Sequence, residues 1–137
     1  MRILIWNEGV HETIADSETV RLYPDGMHGA IAAGLRAHLP EAEIRTATLA
    51  DPEHGLSAAV LAETDVLLWW GHMAHGDVSD EVVDRVITRV NEGMGFLPLH
   101  SAHYSKPFKR LMGTTCSLIW RNDQDRELVW TVNPTHP

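Results

Sequence analysis

The stretch DVLLWWGHMAHGDVSDEVVDRVITRVNEGMGFLPL, residues 65–99, decides the fold. Residues 65–70 are a continuous apolar run of strand length that gives way to a polar loop. Ser79 then opens a helix over 79–91, with Asp80 and Glu81 complementing the positive end of its dipole. Val82, Val83, Val86, Ile87 and Val90 form its core stripe, Gly93 and Gly95 end it, and residues 96–99 read as a further strand. Strand, helix and strand in that order predict a right-handed crossover between parallel strands.

The same alternation extends outward. Residues 2–6 (Arg-Ile-Leu-Ile-Trp) are a central buried strand, and after Pro24-Asp25-Gly26 a helix places Met27, Ala30, Ile31, Gly34 and Leu35 on one face before Pro40 stops it. Residues 43–49 alternate like an edge or second strand, 56–62 suggest a short helix, and 104–112 another. Residues 117–121 and 127–133 have strand composition around a polar turn. Pro98 cannot donate to a ladder, so strand 96–99 is expected to be short or to pair on one side only at that point. The expectation is a doubly wound α/β domain over residues 1–137, its sheet mainly parallel with helices on both faces. Ligands of such a fold sit outside the carboxyl ends of the strands.

Length and composition fit that expectation. The chain has 137 residues, 44% of them hydrophobic, which is one domain with enough apolar material for a core. Nineteen acids against eleven bases give a net charge of −8, which argues against nucleic acid or an anionic membrane as partner. Lys106, Lys109 and Arg110 cluster, but too briefly for a nucleic-acid arm. No window approaches the roughly 18 apolar residues of a membrane helix, and Met1-Arg2 run straight into a strand, so neither anchor nor signal peptide is expected. The single cysteine, Cys116, cannot form an internal disulfide and fits a cytoplasmic location.

Histidine is the unusual component. Six of the nine, His11, His28, His72, His75, His100 and His103, follow predicted strands or open the first long helix and so share the carboxyl edge, whereas His38, His54 and His136 lie elsewhere. Asp25 and Asp77 lie in the same loops. The pairs His72-x-x-His75 and His100-x-x-His103 suit metal ligation by imidazole, with zinc first among the candidate ions, but each pair alone is more often structural. The same cluster could instead serve as general acid and base near neutral pH. The connection from Asn7 to Gly26 is long for a compact domain and reads as a binding loop. Trp6, Trp69 and Trp70 end strands; most are expected in the core, with one free to reach the crevice and stack on a sugar ring. Ser101 stands where a nucleophile elbow would, yet without flanking glycines, and no phosphate-cradling glycine loop exists, so no nucleotide cofactor is expected.

The strings Trp6-Asn7-Glu8, Tyr23-Pro24-Asp25-Gly26-Met27-His28, Leu68-Trp69-Trp70-Gly71-His72-x-x-His75, Leu99-His100-Ser101-Ala102-His103-Tyr104-Ser105-Lys106-Pro107-Phe108 and Gly113-Thr114-Thr115-Cys116-Ser117-Leu118-x-Trp120-Arg121 together resemble the trehalose-utilisation (ThuA-like) family. The resemblance spans the whole chain. It implies a flavodoxin-like fold of the class I glutamine amidotransferase-like superfamily and a bacterial role in catabolism of trehalose and related disaccharides. Members of that family continue well past this length, so the chain is expected to be the C-terminally truncated, N-terminal part of a longer family domain. Glutamine hydrolysis is not implied, because the elbow position falls at His100 or Ser101 instead of a cysteine.

These readings define the expected function: an enzyme acting on trehalose or a related, oxidised or unoxidised, disaccharide. His72, His100, His103 and Ser101 are the catalytic candidates, and Asn7, Glu8, Asp25, Trp70 and Lys106 the substrate-binding ones. A metal version takes ligands from His28, His72, His75, His100 and His103. The competing readings are a non-catalytic sugar-binding or regulatory protein and, more weakly, an amidase using Ser101 or Cys116. The expected partner is a small sugar, and association into a homo-oligomer stays open.

Overall fold

The computed structural model describes residues 1–15, 17–119, 121, 123–124, 126 and 128–135. Strand β1 (Arg2–Asn7) leads into a short helix α1 (Glu18–Leu22) and a longer α2 (Gly26–His38). Next come β2 (Glu43–Thr48), α3 (Ala58–Ala62), β3 (Val66–Trp70), α4 (Asp80–Asn91), β4 (Gly95–Leu99) and α5 (Lys106–Met112). The four strands form one parallel sheet in the order β2-β1-β3-β4, the flavodoxin-like arrangement.

Alternation along each strand divides the core. Ile3 and Ile5 of β1 point to the α2 side, where they meet Ala32, Ile31 and Leu35. Leu4 and Trp6 point to the opposite side, against Leu61 of α3 and the buried Val82, Val83 and Val86 of α4. Helix α4 starts as expected, with the Ser79 hydroxyl accepting from the Val82 N–H. On this side Trp6 and Trp69 stack with ring centroids 4.0 Å apart, and Phe96 meets Trp69 edge-on at 6.1 Å. Both tryptophans are buried filling at the centre of the sheet.

Proline 98 is accommodated by position. The Gly95 N–H donates to the Asp65 carbonyl, so Gly95, Leu97 and Leu99 turn their backbone groups toward β3. Phe96 and Pro98 turn theirs to the open edge, where a missing N–H breaks no ladder bond. One-sided pairing is thus what the structure has.

Two expectations change. The strands expected over 117–121 and 127–133 are absent among the described residues: 117–119, 121 and 128–133 carry no strand, while Trp120, Asn122, Asp125 and Glu127 lie outside the described residues. Strand-forming composition acts only against a partner edge, and Ile119, Leu128, Val129, Trp130 and Val132 are exposed here, packed against nothing that would define a face. The loop after β1 also contains structure the periodicity did not reveal, a 3-10 turn at His11–Thr13 followed by α1.

His54, placed apart from the carboxyl edge by the sequence, sits on the loop after β2 at that edge and clasps two elements. Its Nδ1 lies 2.9 Å from the Leu49 carbonyl and must donate to it, while Nε2 accepts the Ser79 N–H at 3.1 Å. Its own carbonyl accepts the Trp6 indole N–H. His136 lies outside the described residues. Trp6→Ala, which empties the stack on Trp69, is expected to lower unfolding free energy by about 3–5 kcal/mol in urea titrations. His54→Ala, which leaves Ser79 N–H and the Leu49 carbonyl without partners, should cost about 1–3 kcal/mol.

Candidate functional site

The central strand β1 ends in two buried polar residues, and the site is built around them. Asn7 is fully buried and Glu8 is 4% exposed. The Glu8 carboxylate accepts backbone N–H bonds from Met73 at 2.8 Å and Ala74 at 2.9 Å, fixing the loop that follows β3. Gly71 leaves it room, because an added Cβ would lie 3.2 Å from Glu8 Oε2 and the carboxylate would have to give way. Glu8 therefore shapes the site from below.

Asn7 organises the other side. Its Nδ2 donates to Glu12 Oε1 at 2.7 Å and contacts His28 Nδ1 at 2.8 Å, while its Oδ1 accepts the Gly9 N–H. A carboxylate oxygen only accepts, so the amide orientation is forced and His28 Nδ1 is an acceptor. His28 then carries its proton on Nε2. Glu12 Oε1 also accepts the Met27 N–H at 2.9 Å. Burial alone would raise the Glu12 carboxyl, but the bonds from Met27, Asn7 and its own backbone outweigh it and hold it below its ordinary range.

Above these residues lie two neighbouring cavities. The larger, about 350 Å³, is lined by His72, His75, Ser101, His103, Tyr104, Ser117 and Leu118. The smaller, about 260 Å³, is lined by His11, Thr19, Tyr23, Met27, Trp70, His72, His100 and Ser101. They share His72 and Ser101 and form one cleft at the carboxyl edge, as the topology requires. Trp70 is the tryptophan that reaches the cleft, set edge-on to the His11 ring at 5.4 Å. His11 and His72 rings lie 5.3 Å apart.

The tautomer of His103 is fixed by a backbone partner. Its Nδ1 lies 2.6 Å from the Cys116 carbonyl and so donates, leaving Nε2 as the free lone pair of a cavity-lining ring. Burial, reinforced by His72, His103 and Lys109 against the opposing pull of Glu8, lowers the His75 pKa and keeps that ring neutral near pH 7. Tyr104 packs against both, its ring 6.0 Å from His75 and 5.9 Å from His103, with the Lys109 ammonium 4.2 Å from the Tyr104 ring centroid. His100 occupies the turn after β4 in a left-handed conformation, φ +47, which is the geometry of an elbow.

The remaining candidates are placed differently. The Ser101 hydroxyl donates to the Gly71 carbonyl at 2.9 Å, and the Cys116 thiol meets the Thr114 hydroxyl at 3.3 Å; among the described residues neither is hydrogen-bonded to a histidine ring. Lys106 is held by the Val78 carbonyl and Asp80 and lines neither cavity. Asp25 is exposed at the start of α2 and lines neither cavity. His28, His72, His75, His100 and His103 do not gather as a ligand set: among the described residues no three His, Cys, Asp or Glu side chains are grouped to hold a metal ion. His28 and His103 are each fixed through Nδ1 to protein partners. Sequence reasoning left Glu12, Tyr23 and Tyr104 off the site. No spacing singles out Glu12, whose role depends on the fold of the loop; the tyrosines stood within motifs already recognised.

An α/β domain with a histidine-lined cleft across the carboxyl edge of its sheet is an architecture suited to small polar ligands. The chain belongs to the ThuA family, trehalose utilisation, whose family model matches residues 2–137. No curated protein matches the chain. No helix among the described residues is long and apolar enough to cross a membrane.

Glu8→Ala, which strands the Met73 and Ala74 N–H groups, is expected to cost about 1–3 kcal/mol and to speed hydrogen exchange in the loop after β3. The lowered Glu12 pKa makes its stabilisation fully present above 4.5, the ordinary value, and lost as pH falls through the lowered one. Acid unfolding of Glu12→Gln should therefore be less steep below pH 4.5 than that of the natural chain.

Proposed function

We propose that the protein acts on trehalose or a related disaccharide, in native or oxidised form, by histidine acid-base chemistry. The observation that carries this reading is the cleft of two cavities meeting at His72 and Ser101, one of them holding a histidine whose tautomer is fixed by its partner. His103 Nε2 is positioned to take a proton from a sugar hydroxyl or from a carbon beside a sugar carbonyl, and the Cys116 carbonyl stabilises the resulting imidazolium through Nδ1–H. His75, neutral through burial, serves the same cavity as a second proton acceptor. His72 borders the shared part of the cleft, where a linkage between two rings would lie, and His100 lines the smaller cavity beside it. The Ser101 oxygen, its proton directed to Gly71, accepts a hydroxyl from substrate. Asn7 and Glu8 support substrate binding from beneath, through the segments they fix.

Five histidines that do not gather as ligands support no metal-assisted step, so the mechanism assigns none. The amidase reading lacks a nucleophile bonded to a base. A second reading, a sugar-binding or regulatory protein, draws on one observation: none of the histidines of the larger cavity is hydrogen-bonded to a carboxylate that would raise its basicity. Calorimetry with trehalose and its keto derivatives, coupled to product analysis, separates the two. Binding with turnover supports the enzyme, and binding without turnover supports the alternative.

For the enzyme, His103→Gln is expected to lower kcat by about 10²–10⁴-fold with little change in binding. The rate should be sustained above the ordinary histidine value of 6.5 and decline at lower pH, because His75 accepts a proton only below that value. A pH–rate profile checks this; a rate that rises on acidification excludes neutral histidine as the base.

A further inference from the structure

The two cavities differ in chemistry. The larger carries His75 and His103, whereas the smaller sets Trp70, Tyr23 and Met27 against one another. At about 260 Å³ the smaller one lies below the ordinary range of ligand pockets, roughly 300–1,000 Å³, and fits one ring better than two. One of its walls is α1, through Thr19 and Tyr23.

That wall is weakly attached. No residue of α1 is buried. Among the described residues, the hydrogen bonds of residues 18–25 run only to residues 17–26: Val20 N–H to the Ser17 hydroxyl, Arg21 N–H to the Ser17 carbonyl, the Arg21 guanidinium to Glu18, Tyr23 N–H to Thr19, and Gly26 N–H to the Tyr23 carbonyl. Open space also lies on the other flank, a hollow of about 510 Å³ against Ser17, Glu18, Val20 and Arg21. Val20, Leu22 and Tyr23 are apolar groups left partly exposed along this segment. The chain is pinned just before and just after α1, by Glu12 bonded to Asn7 and to the Met27 N–H, and it re-enters α2 through Gly26 at φ +73. A helix fixed at its base and free elsewhere, with an aromatic side chain on the cleft side, is built to move as a unit.

We propose that α1 is a lid that brings Tyr23 toward Trp70, making the smaller cavity an aromatic clamp for one sugar ring while the linked ring lies among the histidines of the larger cavity. The C–H face of a pyranose is apolar and its rim is hydroxylated, which matches aromatic walls beside the His11 and His100 ring edges. Tyr23 is then a specificity-determining residue, selecting a ring-shaped end group over an open-chain polyol, and closure excludes water from the linkage at His72 and Ser101. The inference rests on the disaccharide reading above and deepens it.

The test uses the full chain with trehalose and a keto derivative of trehalose as probes, read by calorimetry and by hydrogen exchange. Binding should slow amide exchange across residues 18–25. Tyr23→Ala should raise Kd about tenfold, a loss of one aromatic contact, and Tyr23→Phe should restore it because the ring and not the hydroxyl makes the clamp. Tyr23 caps α1 with an exposed side chain, so Tyr23→Ala should melt with the natural chain, and weakened binding then does not come from unfolding. Sugar binding with unchanged exchange over 18–25, or with Kd unaffected by Tyr23→Ala, overturns the lid and leaves the disaccharide reading standing. Failure of both probes to bind the natural chain overturns both.

Discussion

A carboxylate withdrawn from water at the end of the central strand is the constraint on which the cleft depends. Glu8 is tolerable there only because two backbone N–H groups of the loop after β3 donate to it. The exchange is mutual, since Met73 and Ala74 would otherwise have no acceptor. One buried group thereby joins β1 to the segment that presents His72 and His75. The same strand, one residue earlier, uses the Asn7 amide to orient His28 and to retain Glu12 at the base of the lid. Both halves of the cleft therefore hang from Asn7, the last residue of β1, and from Glu8, which follows it.

The histidines show how partners, more than residue type, distribute roles. His54 has both nitrogens engaged by backbone and is a clasp. His28 accepts through Nδ1 and keeps its proton on Nε2, while His103 donates through Nδ1 and keeps Nε2 bare. Identical side chains thus present opposite faces to their surroundings. Such asymmetry is what proton movement can use, and among the described residues no three His, Cys, Asp or Glu side chains are grouped to hold a metal ion.

Much of this was legible in the sequence. The apolar runs at residues 2–6 and 65–70 and the valine stripe of α4 declared their partners through periodicity, and the parallel topology followed from their order. Convergence of His72, His75, His100 and His103 on one edge followed from that topology. What periodicity could not carry was anything decided by a partner distant in sequence: the burial of Glu8, the pinning role of Glu12, and the placement of His54. Composition misled at 127–133, where apolar and β-branched residues promised a strand but, among the described residues, none forms. Periodicity was silent on α1, whose five residues are too few for a stripe and which buries none of them.

Pro98 has one more consequence. A parallel sheet with an open border invites further strands, including those of other molecules, because unpaired backbone groups remain in register for them. On the β4 border the only outward donor of the strand interior is the Phe96 N–H, since Pro98 has none. On the β2 border, Arg45 is engaged with Glu43 and Glu63, so an incoming strand meets charge that is already neutralised and solvated. The two borders are thus protected by different means, one by covalent chemistry and one by hydration. Replacing Pro98 would return a backbone donor to the β4 edge.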